Sequence, residues 1–233
     1  MTMVNHFGAE VAARYDEGTV GMPVEPMVDV LAELAGDGAA LELGIGTGRV
    51  ALPLAERGVA VSGIDLSTDM VAVLRAKPGA RAIDVAIGDF ATTRVDGSFA
   101  LVYLVFNTIG NLTTQEAQVA CFENAATHLE QRGCFVIEVG VGGGPPLEVF
   151  DLAETHVGID EYDAATQRLV SHHFTLVGGR WQRNSVPFRS VSPGELDLMA
   201  RLAGMRLRER WAGWKREPFT AESTKHVSVW EKV

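Results

Sequence analysis

Residues 40–49 constrain the fold of this chain more than any other segment. Their sequence, ALELGIGTGR, is an apolar run that leads into three alternating glycines, and Asp65 closes a second apolar run downstream. A strand that ends in a glycine-rich turn, followed by a strand that ends in an acidic residue, is typical of the start of a nucleotide-binding α/β sheet. The identity of the nucleotide then decides the function.

The spacing of the glycines does not favour a dinucleotide. The dinucleotide fingerprint needs a glycine at the sixth position of G-x-G-x-x-G, where pyrophosphate meets the helix N-terminus. Counted from Gly44, that position is Arg49, and the third glycine is Gly48. Glu42 precedes the first glycine, and its carboxylate would repel a pyrophosphate but attract an ammonium or sulfonium group. No Gly-Lys-Ser/Thr follows the turn, which excludes a P-loop.

The pattern E-x-G-x-G-x-G over residues 42–48 resembles the first motif of the class I S-adenosylmethionine-dependent methyltransferases. The resemblance implies that Gly44, Gly46 and Gly48 let the backbone approach the methionine part of the cofactor, since glycine has no Cβ. It assigns Glu42 to the architecture of this loop and to the amino end of the cofactor. It also implies that Asp65 accepts hydrogen bonds from both ribose hydroxyls.

The adenine end of the cofactor is expected after the second and third strands. Asp89 and Phe90 match the family position that holds adenine: Asp89 would accept a hydrogen bond from the exocyclic amine, and Phe90 would offer its N–H and an apolar face. Leu66 and Met70 are expected beside the cofactor, Met70 against the other face of adenine. The alternatives are an ordinary turn role for Asp89 and an ordinary core role for Met70.

Candidate catalytic residues follow the fourth strand. Asn107 and Asn111 occupy the stretch where family members place groups between the sulfonium and the acceptor, and Asn107 is also expected to contact the cofactor. The alternative is that both asparagines only shape a turn. The pattern FNTIGNL and Tyr15-Asp16 resemble more narrowly the small-molecule N-methyltransferases, including those of amino sugars. There the counterpart of Tyr15 closes over the cofactor, so Tyr15 is a third candidate catalytic residue and a cofactor-binding one. In the amino-sugar enzymes a histidine stands at the position of Asn111.

Strand and helix patterns alternate five times between residues 39 and 141, which predicts a doubly wound sheet. Residues 47–57 are expected to form a helix that Pro53 bends. Ser67 and Ser192 are typical helix N-caps, and Thr113 with Glu116 forms the pattern of a capping box that opens another helix.

The alternation stops after the fifth strand. Residues 156–162, 169–177 and 180–188 have the pattern of antiparallel strands, so we predict a small antiparallel β flap over residues 145–190, inserted over the active site. Residues 207–214 and 226–231 are expected to add a terminal antiparallel hairpin. The predicted fold is a single methyltransferase domain over residues 1–233, with a Rossmann-like, seven-stranded, mostly parallel sheet.

Composition limits the partners of the protein. The formal net charge of −10 argues against nucleic acid as a partner, because phosphate neutralisation needs a basic face. No apolar run is long enough to cross a bilayer, and residues 1–10 show no secretory pattern. Cys121 and Cys134 are too few for a disulfide framework, so we expect free thiols and a cytoplasmic protein. The sequence is compatible with a homodimer.

We therefore predict an S-adenosylmethionine-dependent methyltransferase that transfers a methyl group to the N or O atom of a small molecule. No general base stands out, although His156, His172 and His173 lie in the predicted flap. No group of residues has metal-ligand spacing, so no metal is expected. A non-catalytic cofactor-binding protein of the same fold is the alternative. A nicotinamide-dependent oxidoreductase is disfavoured by Glu42 and by Arg49 at the sixth position.

Overall fold

The computed structural model describes residues 6–19 and 21–233. Residues 1–5 lie outside the described residues. They are the first half of residues 1–10, for which the sequence predicts no secretory pattern. The α-helices are α1 (Ala9–Tyr15), α2 (Glu25–Ala35), α3 (Ala51–Glu56), α4 (Thr68–Arg75), α5 (Gln115–His128) and α6 (Pro193–Leu202). The strands are β1 (Ala40–Leu43), β2 (Val61–Asp65), β3 (Asp84–Ile87), β4 (Phe99–Leu104), β5 (Leu129–Gly140), β6 (Leu147–Leu152), β7 (His156–Asp163), β8 (Arg168–Val177), β9 (Arg180–Arg189), β10 (Met205–Trp211) and β11 (Lys225–Lys232).

The central sheet has seven strands in the order β10-β11-β5-β4-β1-β2-β3. Strands β1 to β5 pair in parallel, whereas β11 pairs antiparallel to both β5 and β10. The strand order reverses beside β1, so the carboxyl ends of β1 and β4 border a crevice where ligands bind in open α/β sheets. The predicted doubly wound, mostly parallel sheet with a terminal antiparallel hairpin is confirmed.

The sheet separates two hydrophobic cores. Alternate residues of β1 and β4 point to opposite faces, as the two-residue period of a strand requires. Leu41 and Val102 pack into one core together with Phe122 from α5. Leu101 and Tyr103 pack into the other, which includes Leu31 and Leu54 from α2 and α3. Helices on both faces explain why β1 and β4 are almost continuously apolar.

Several helix boundaries differ from the sequence predictions. Helix α3 begins at Ala51 rather than at residue 47, because residues 47–50 complete the glycine turn. Pro53 then lies in the first turn, where its missing N–H leaves no helical hydrogen bond unmade, so the reason for expecting a bend does not apply. Thr114, not Thr113, caps α5, accepting a hydrogen bond from the N–H of Ala117 at 3.1 Å. Helix α1 and strand β6 had no counterpart in the prediction.

The second sheet is antiparallel, with the order β6-β7-β8-β9, and follows β5 in the chain. We call residues 145–190, which contain it, the flap. Arg189, at its last strand, is buried and joins the flap to α5 and α6. Its guanidinium donates to Gln118 Oε1 at 2.5 Å, Gln167 Oε1 at 2.6 Å and Glu195 Oε1 at 2.7 Å.

Along the described stretches of the chain, no helix is both long enough and apolar enough to cross a bilayer.

Candidate active site

A cavity of about 430 Å³ opens at the carboxyl edge of the parallel strands. The predicted site residues on its wall are Tyr15, Gly44, Gly46, Asp65, Leu66, Met70, Asp89, Phe90 and Asn111. The other wall residues are His6, Phe7, Ser67, Thr108, Leu112, Thr113, Thr114, Ala117 and Pro187. The structure therefore gathers most of the predicted site around one space, while Glu42, Gly48 and Asn107 lie off its wall.

The glycine turn after β1 brings its backbone close to other side chains of the cavity wall. Gly44 and Gly46 have φ angles of +75° and +53°, which favour glycine. A Cβ at Gly44 would lie 2.8 Å from the Thr108 methyl group, and one at Gly46 would lie 3.3 Å from the Met70 methyl group. Gly48 differs: a Cβ there would lie 2.3 Å from the Cδ1 atom of Leu74 on α4, so this glycine permits close packing of the turn against that helix.

Asp65 presents a fixed carboxylate at the end of β2. Its Oδ1 accepts a hydrogen bond from the N–H of Ser67 at 2.8 Å, and its Oδ2 accepts one from the N–H of Gly46 at 2.7 Å. Burial raises the pKa of Asp65, although the two N–H donors act in the opposite direction. Each oxygen has a further lone pair, so Asp65 can accept hydrogen bonds from two hydroxyl groups in the cavity.

An apolar slot with an acidic end lies beyond Asp65. Phe90 and Met70 are buried, and both line the cavity together with Leu66. Asn124 donates to the carbonyl of Phe90 at 2.6 Å and holds this loop against α5. Asp89 Oδ1 accepts from the N–H of residue 91 at 2.8 Å, which orients the carboxylate. The slot has the chemistry to hold a flat aromatic ring that carries an amino group.

The N-terminal segment, residues 6–16, forms one side of the cavity and is held against the glycine turn by hydrogen bonding. Asp16 accepts from Thr47 Oγ1 at 2.6 Å and forms an ion pair with Lys77 at 2.6 Å. These contacts place Tyr15 on the wall, with its ring centroid 6.2 Å from that of Phe7. Burial raises the pKa of the Tyr15 phenol, so at neutral pH it is a hydrogen-bond donor rather than a base.

A turn with a strained backbone follows β4. Phe106 and Asn107 have φ angles of 56° and 58°, in a region that non-glycine residues adopt at an energetic cost. Three hydrogen bonds to β5 hold them. Asn107 Oδ1 accepts from the N–H of Gly140 at 2.7 Å, the N–H of Asn107 donates to the carbonyl of Glu138 at 3.2 Å, and the N–H of Phe106 donates to the Glu138 carboxylate at 3.3 Å. The Asn107 side chain thus bridges two strand ends, whereas Asn111 lies on the wall.

Glu42 is buried in the core between β1 and β4. It is 4% exposed, and its Oε2 accepts a hydrogen bond from the Tyr103 hydroxyl at 2.9 Å. Burial raises the pKa of Glu42 to about 8 and that of Tyr103 well above its ordinary value. Glu42 is therefore largely protonated at neutral pH, and it supports the strand that carries the glycine turn.

Some wall residues had no signal in the sequence. His6 and Phe7 reach the cavity because α1 folds back over α4, and Pro187 reaches it from the flap, far along the chain. Thr113 and Thr114 directly follow the FNTIGNL pattern, which could have indicated them.

The flap histidines lie off the cavity wall. His156 bonds to Asp151 at 2.5 Å and to His173 at 3.1 Å, while His172 bonds to Ser185 at 2.8 Å. Over residues 6–19 and 21–233, no group of three or more His, Cys, Asp or Glu residues is arranged to hold a metal ion. The contacts of the histidines are therefore those of hydrogen-bonded residues within the flap.

Comparison with known proteins identifies a related group. Residues 40–133 match the family described as a methyltransferase domain. The chain is 27% identical over 203 residues to the cypemycin N-terminal methyltransferase of a Streptomyces species, which covers 82% of each chain. It is 35% identical to the CcbJ methyltransferase of Streptomyces caelestis, with a TM-score of 0.87 over 97% of this chain and 98% of that one. SAM-bound CalS10, an amino pentose methyltransferase of Micromonospora echinaspora, shares the fold at 18% identity and a TM-score of 0.71, over 100% of both chains.

The cavity fits the cofactor of these proteins. S-adenosylmethionine has an adenine ring, a ribose with two hydroxyls and a cationic methionine part, but no phosphate. The described wall residues include no Lys or Arg that would bind a phosphate, but they include two carboxylates, at Asp65 and Asp89. Gly44 and Gly46 lie on this wall without a Cβ, so a bound molecule can approach their backbone closely. With this fit and the 35% identity to a methyltransferase over nearly the whole chain, the protein belongs to the S-adenosylmethionine-dependent methyltransferases.

Proposed function

We propose that this methyltransferase transfers its methyl group to the nitrogen of a small-molecule amine. The observation that carries the proposal is the state of the two carboxyl groups and the phenol on the wall, where the imidazole of His6 is the remaining titratable group among the described residues. Asp65 and Asp89 already accept backbone N–H donors, and Tyr15 stays protonated. A neutral amine has its own lone pair and needs no strong base, whereas a hydroxyl must lose a proton. The name of the cypemycin N-terminal methyltransferase agrees with an amine acceptor.

We assign the adenosine part of the cofactor to the wall between β2 and α5. Asp65 accepts hydrogen bonds from both ribose hydroxyls with its remaining lone pairs. Asp89 accepts from the adenine amino group, and the ring lies in the apolar slot of Phe90, Met70 and Leu66. The burial of Phe90 and Met70 and the fixed carboxylates support this assignment.

We assign the methionine part to the glycine turn. The backbone of Gly44 and Gly46 contacts it directly, and Tyr15 covers it from the N-terminal segment. Gly48 and Glu42 then act indirectly, by holding the turn and β1 in place. Their contacts to Leu74 and Tyr103, away from the cavity, support an indirect role.

When bound, the cofactor supplies an electrophilic methyl group on its sulfonium. The chain contributes alignment and exclusion of water. Asn111 faces the cavity, and its amide oxygen can accept a hydrogen bond from the acceptor amine, which would point the nitrogen lone pair at the methyl group. Asn107 is a positioning residue in this scheme, since its side chain fixes the turn through Gly140. Tyr15 and Phe7 shield the reacting atoms from solvent.

We propose that the flap covers the acceptor, as one part of a single domain over residues 1–233. Pro187 supports this arrangement, because it places strand β9 on the cavity wall. Gly110 supports it too: a Cβ at this residue would lie 3.4 Å from the carbonyl of Arg189 and 3.5 Å from the ring of Phe188. The flap thus packs directly on the turn that carries Asn111.

Transfer of a radiolabelled methyl group to matched amines and phenols tests the acceptor class. We expect transfer to amines and little to phenols, and an Asn111→Ala variant should lower kcat while binding S-adenosylhomocysteine normally. Tight binding of S-adenosylhomocysteine without transfer to any acceptor would instead indicate a non-catalytic binding protein.

O-methylation is the second candidate, and His6 on the cavity wall favours it, because an imidazole can accept the proton of a hydroxyl. Transfer to phenols that a His6→Ala variant loses would identify this reaction and would refute the amine proposal.

We also propose that the protein works in the cytoplasm, as a homodimer and without nucleic acid. Cys121 and Cys134 are buried free thiols, which suits a reducing compartment.

The homodimer is supported by the exposed apolar residues of the edge strand β6. They are Leu147, Val149 and Leu152, at 63%, 55% and 80% exposed, and such a strand suits contact with a second copy. Light scattering of the purified protein measures its mass in solution, and a monomer would contradict the homodimer.

A further inference from the structure

Gln118 is a fully buried amide on α5, next in sequence to Ala117 of the cavity wall. Its exposed fraction is 0%, although glutamine is ordinarily a surface residue. A primary amide carries two N–H donors and a carbonyl oxygen, and burying any of them without a hydrogen-bond partner costs free energy. The partners of this side chain therefore indicate what the position does.

The partners of Gln118 come from two segments that are distant in the chain. Its Nε2 donates to the carbonyl of Ile109 at 3.2 Å and to the carbonyl of Arg189 at 3.4 Å. Its Oε1 accepts from the guanidinium of Arg189 at 2.5 Å. One side chain thus holds both the end of flap strand β9 and residues 106–111, which we call the β4 turn.

The contact at Ile109 fixes the part of the β4 turn that carries Asn111. The carbonyl of Ile109 also accepts from the N–H of Leu112 at 3.2 Å, and the N–H of Gly110 donates to the carbonyl of Asn107 at 2.9 Å. These bonds close the turn into a short 3₁₀ helix that ends at Asn111. A displacement of Ile109 therefore displaces Asn111 as well.

The flap side of the contact is held independently. The guanidinium of Arg189 also donates to Gln167 at 2.6 Å and to Glu195 at 2.7 Å. Gly110 packs on the same Arg189 carbonyl that Gln118 contacts, since a Cβ at this glycine would lie 3.4 Å from it. The Gln118 amide therefore sets the spacing between a fixed strand of the flap and the β4 turn.

The chemistry of the side chain separates this role from simple support of the flap. A glutamate at position 118 would accept from the guanidinium of Arg189 with a charge-assisted hydrogen bond. An ionised glutamate has no N–H, however, and its oxygen would face the carbonyl of Ile109. The amide is thus needed for the contact to the β4 turn and not for the contact to the guanidinium.

We propose that Gln118 is a positioning residue for methyl transfer, which keeps the β4 turn in register with the flap so that Asn111 meets the acceptor nitrogen. This inference rests on the proposed function, because Gln118 acts through Asn111. A misplacement of about 1 Å in an active site can lower a rate by about 10²-fold, so a small shift of the turn is enough to affect catalysis.

The amine that is methylated best among those tested above is the probe. Gln118→Leu should lower kcat at least about tenfold, while the dissociation constant of S-adenosylhomocysteine stays within about twofold of the native value. Gln118→Glu, which keeps the contact to Arg189, should lower kcat to a similar degree. Gln115→Leu is the matched control, since it removes an exposed amide of the same helix that donates to Glu195 at 2.6 Å, and it should change kcat by less than about twofold.

A double-mutant cycle tests whether Gln118 acts through Asn111, an effect that a purely structural role would not produce. In an Asn111→Ala protein, Gln118→Leu should lower kcat by less than about a further threefold. Fully additive losses of kcat, or a native kcat in a folded Gln118 variant, would overturn the inference and leave amine methylation standing. Thermal unfolding is recorded for both variants, and loss of the folded state in both would assign Gln118 to stability alone and overturn the inference too.

The proposed function fails by a different result. If no amine is methylated, or if Asn111→Ala keeps the native kcat, the assigned reaction or the role of Asn111 is wrong, and the positioning role of Gln118 falls with it.

Discussion

Replacing Asp65 tests the assignment of the cofactor's ribose most directly. Both carboxylate oxygens already accept a backbone N–H, from Gly46 and from Ser67. Asp65→Asn is therefore not a conservative change, because its NH₂ group would face one of these donors. Asp65→Ala removes both acceptors and the hydrogen bonds to the ribose, and it is the cleaner test of cofactor binding.

The magnitude follows from the type of hydrogen bond lost. A hydrogen bond to a charged group contributes about 1.5–3 kcal/mol. The loss of one ribose contact in Asp65→Ala should thus weaken binding of S-adenosylhomocysteine by about 10- to 140-fold, at about 1.4 kcal/mol per factor of ten, and the loss of both should weaken it further. The two freed N–H groups also destabilise the unliganded protein, by about 1–3 kcal/mol each where water cannot reach them.

Isothermal titration calorimetry with S-adenosylhomocysteine measures the dissociation constant, and thermal unfolding of the unliganded variants measures the second effect. Asp84→Ala is the matched control, since this exposed carboxylate lies at the amino end of the neighbouring strand, opposite the cavity edge. A dissociation constant for Asp65→Ala within about twofold of the native value, with the protein folded, would refute the assignment of the ribose.

Three further predictions concern stability, measured by urea or thermal unfolding. Gly48→Ala should destabilise the fold by at least about 2 kcal/mol more than Gly58→Ala, since both have positive φ but only Gly48 would clash, with Leu74; equal effects would contradict this. Arg189→Leu should cost about 3 kcal/mol, because it removes a buried guanidinium that pairs with the partly buried Glu195 and donates to Gln118 and Gln167; a loss below about 1 kcal/mol would contradict that reasoning. Since the pKa of Glu42 rises from 4.5 unfolded to about 8 folded, native stability should fall as pH rises from 5 to 8. Glu42→Gln should lessen that fall, and an unchanged pH profile would contradict it.

The doubly wound, mostly parallel sheet could be predicted because its strands have local signals. Apolar runs of strand length alternate with helical patterns, which indicates parallel strands joined by crossovers. Ser67 and Ser192 could be identified as caps because each is followed at once by a helical pattern. Thr113 and Thr114 are chemically equivalent neighbours, so the pattern could not decide between them, and Thr114 is the cap.

The cavity wall could be predicted only in part, because some of its residues are far along the chain from the strand ends that form the site. Gly44, Gly46 and Asp65 are close in sequence to the strand ends that place them. His6 and Pro187 reach the same cavity through contacts between distant segments, such as that of Asp16 with Lys77, just after α4, and that of the flap with α5. Neither residue carries a local pattern, so only the tertiary structure brings them to the site.

From the sequence, Glu42, Gly48 and Asn107 are expected to bind the cofactor, but none of them lies on the cavity wall. Strand geometry explains this for Glu42. On β1, Glu42 alternates with Leu41 and Leu43, so it points to the opposite face of the sheet, where Tyr103 meets it. Gly48 and Asn107 likewise contact neighbouring elements rather than the wall. These three residues therefore hold β1 and the turns beside the cavity in place, and they do not form its wall. Substitution of Glu42 should therefore change the pH dependence of stability more than the affinity for S-adenosylhomocysteine, whereas substitution of Asp65 should chiefly change affinity.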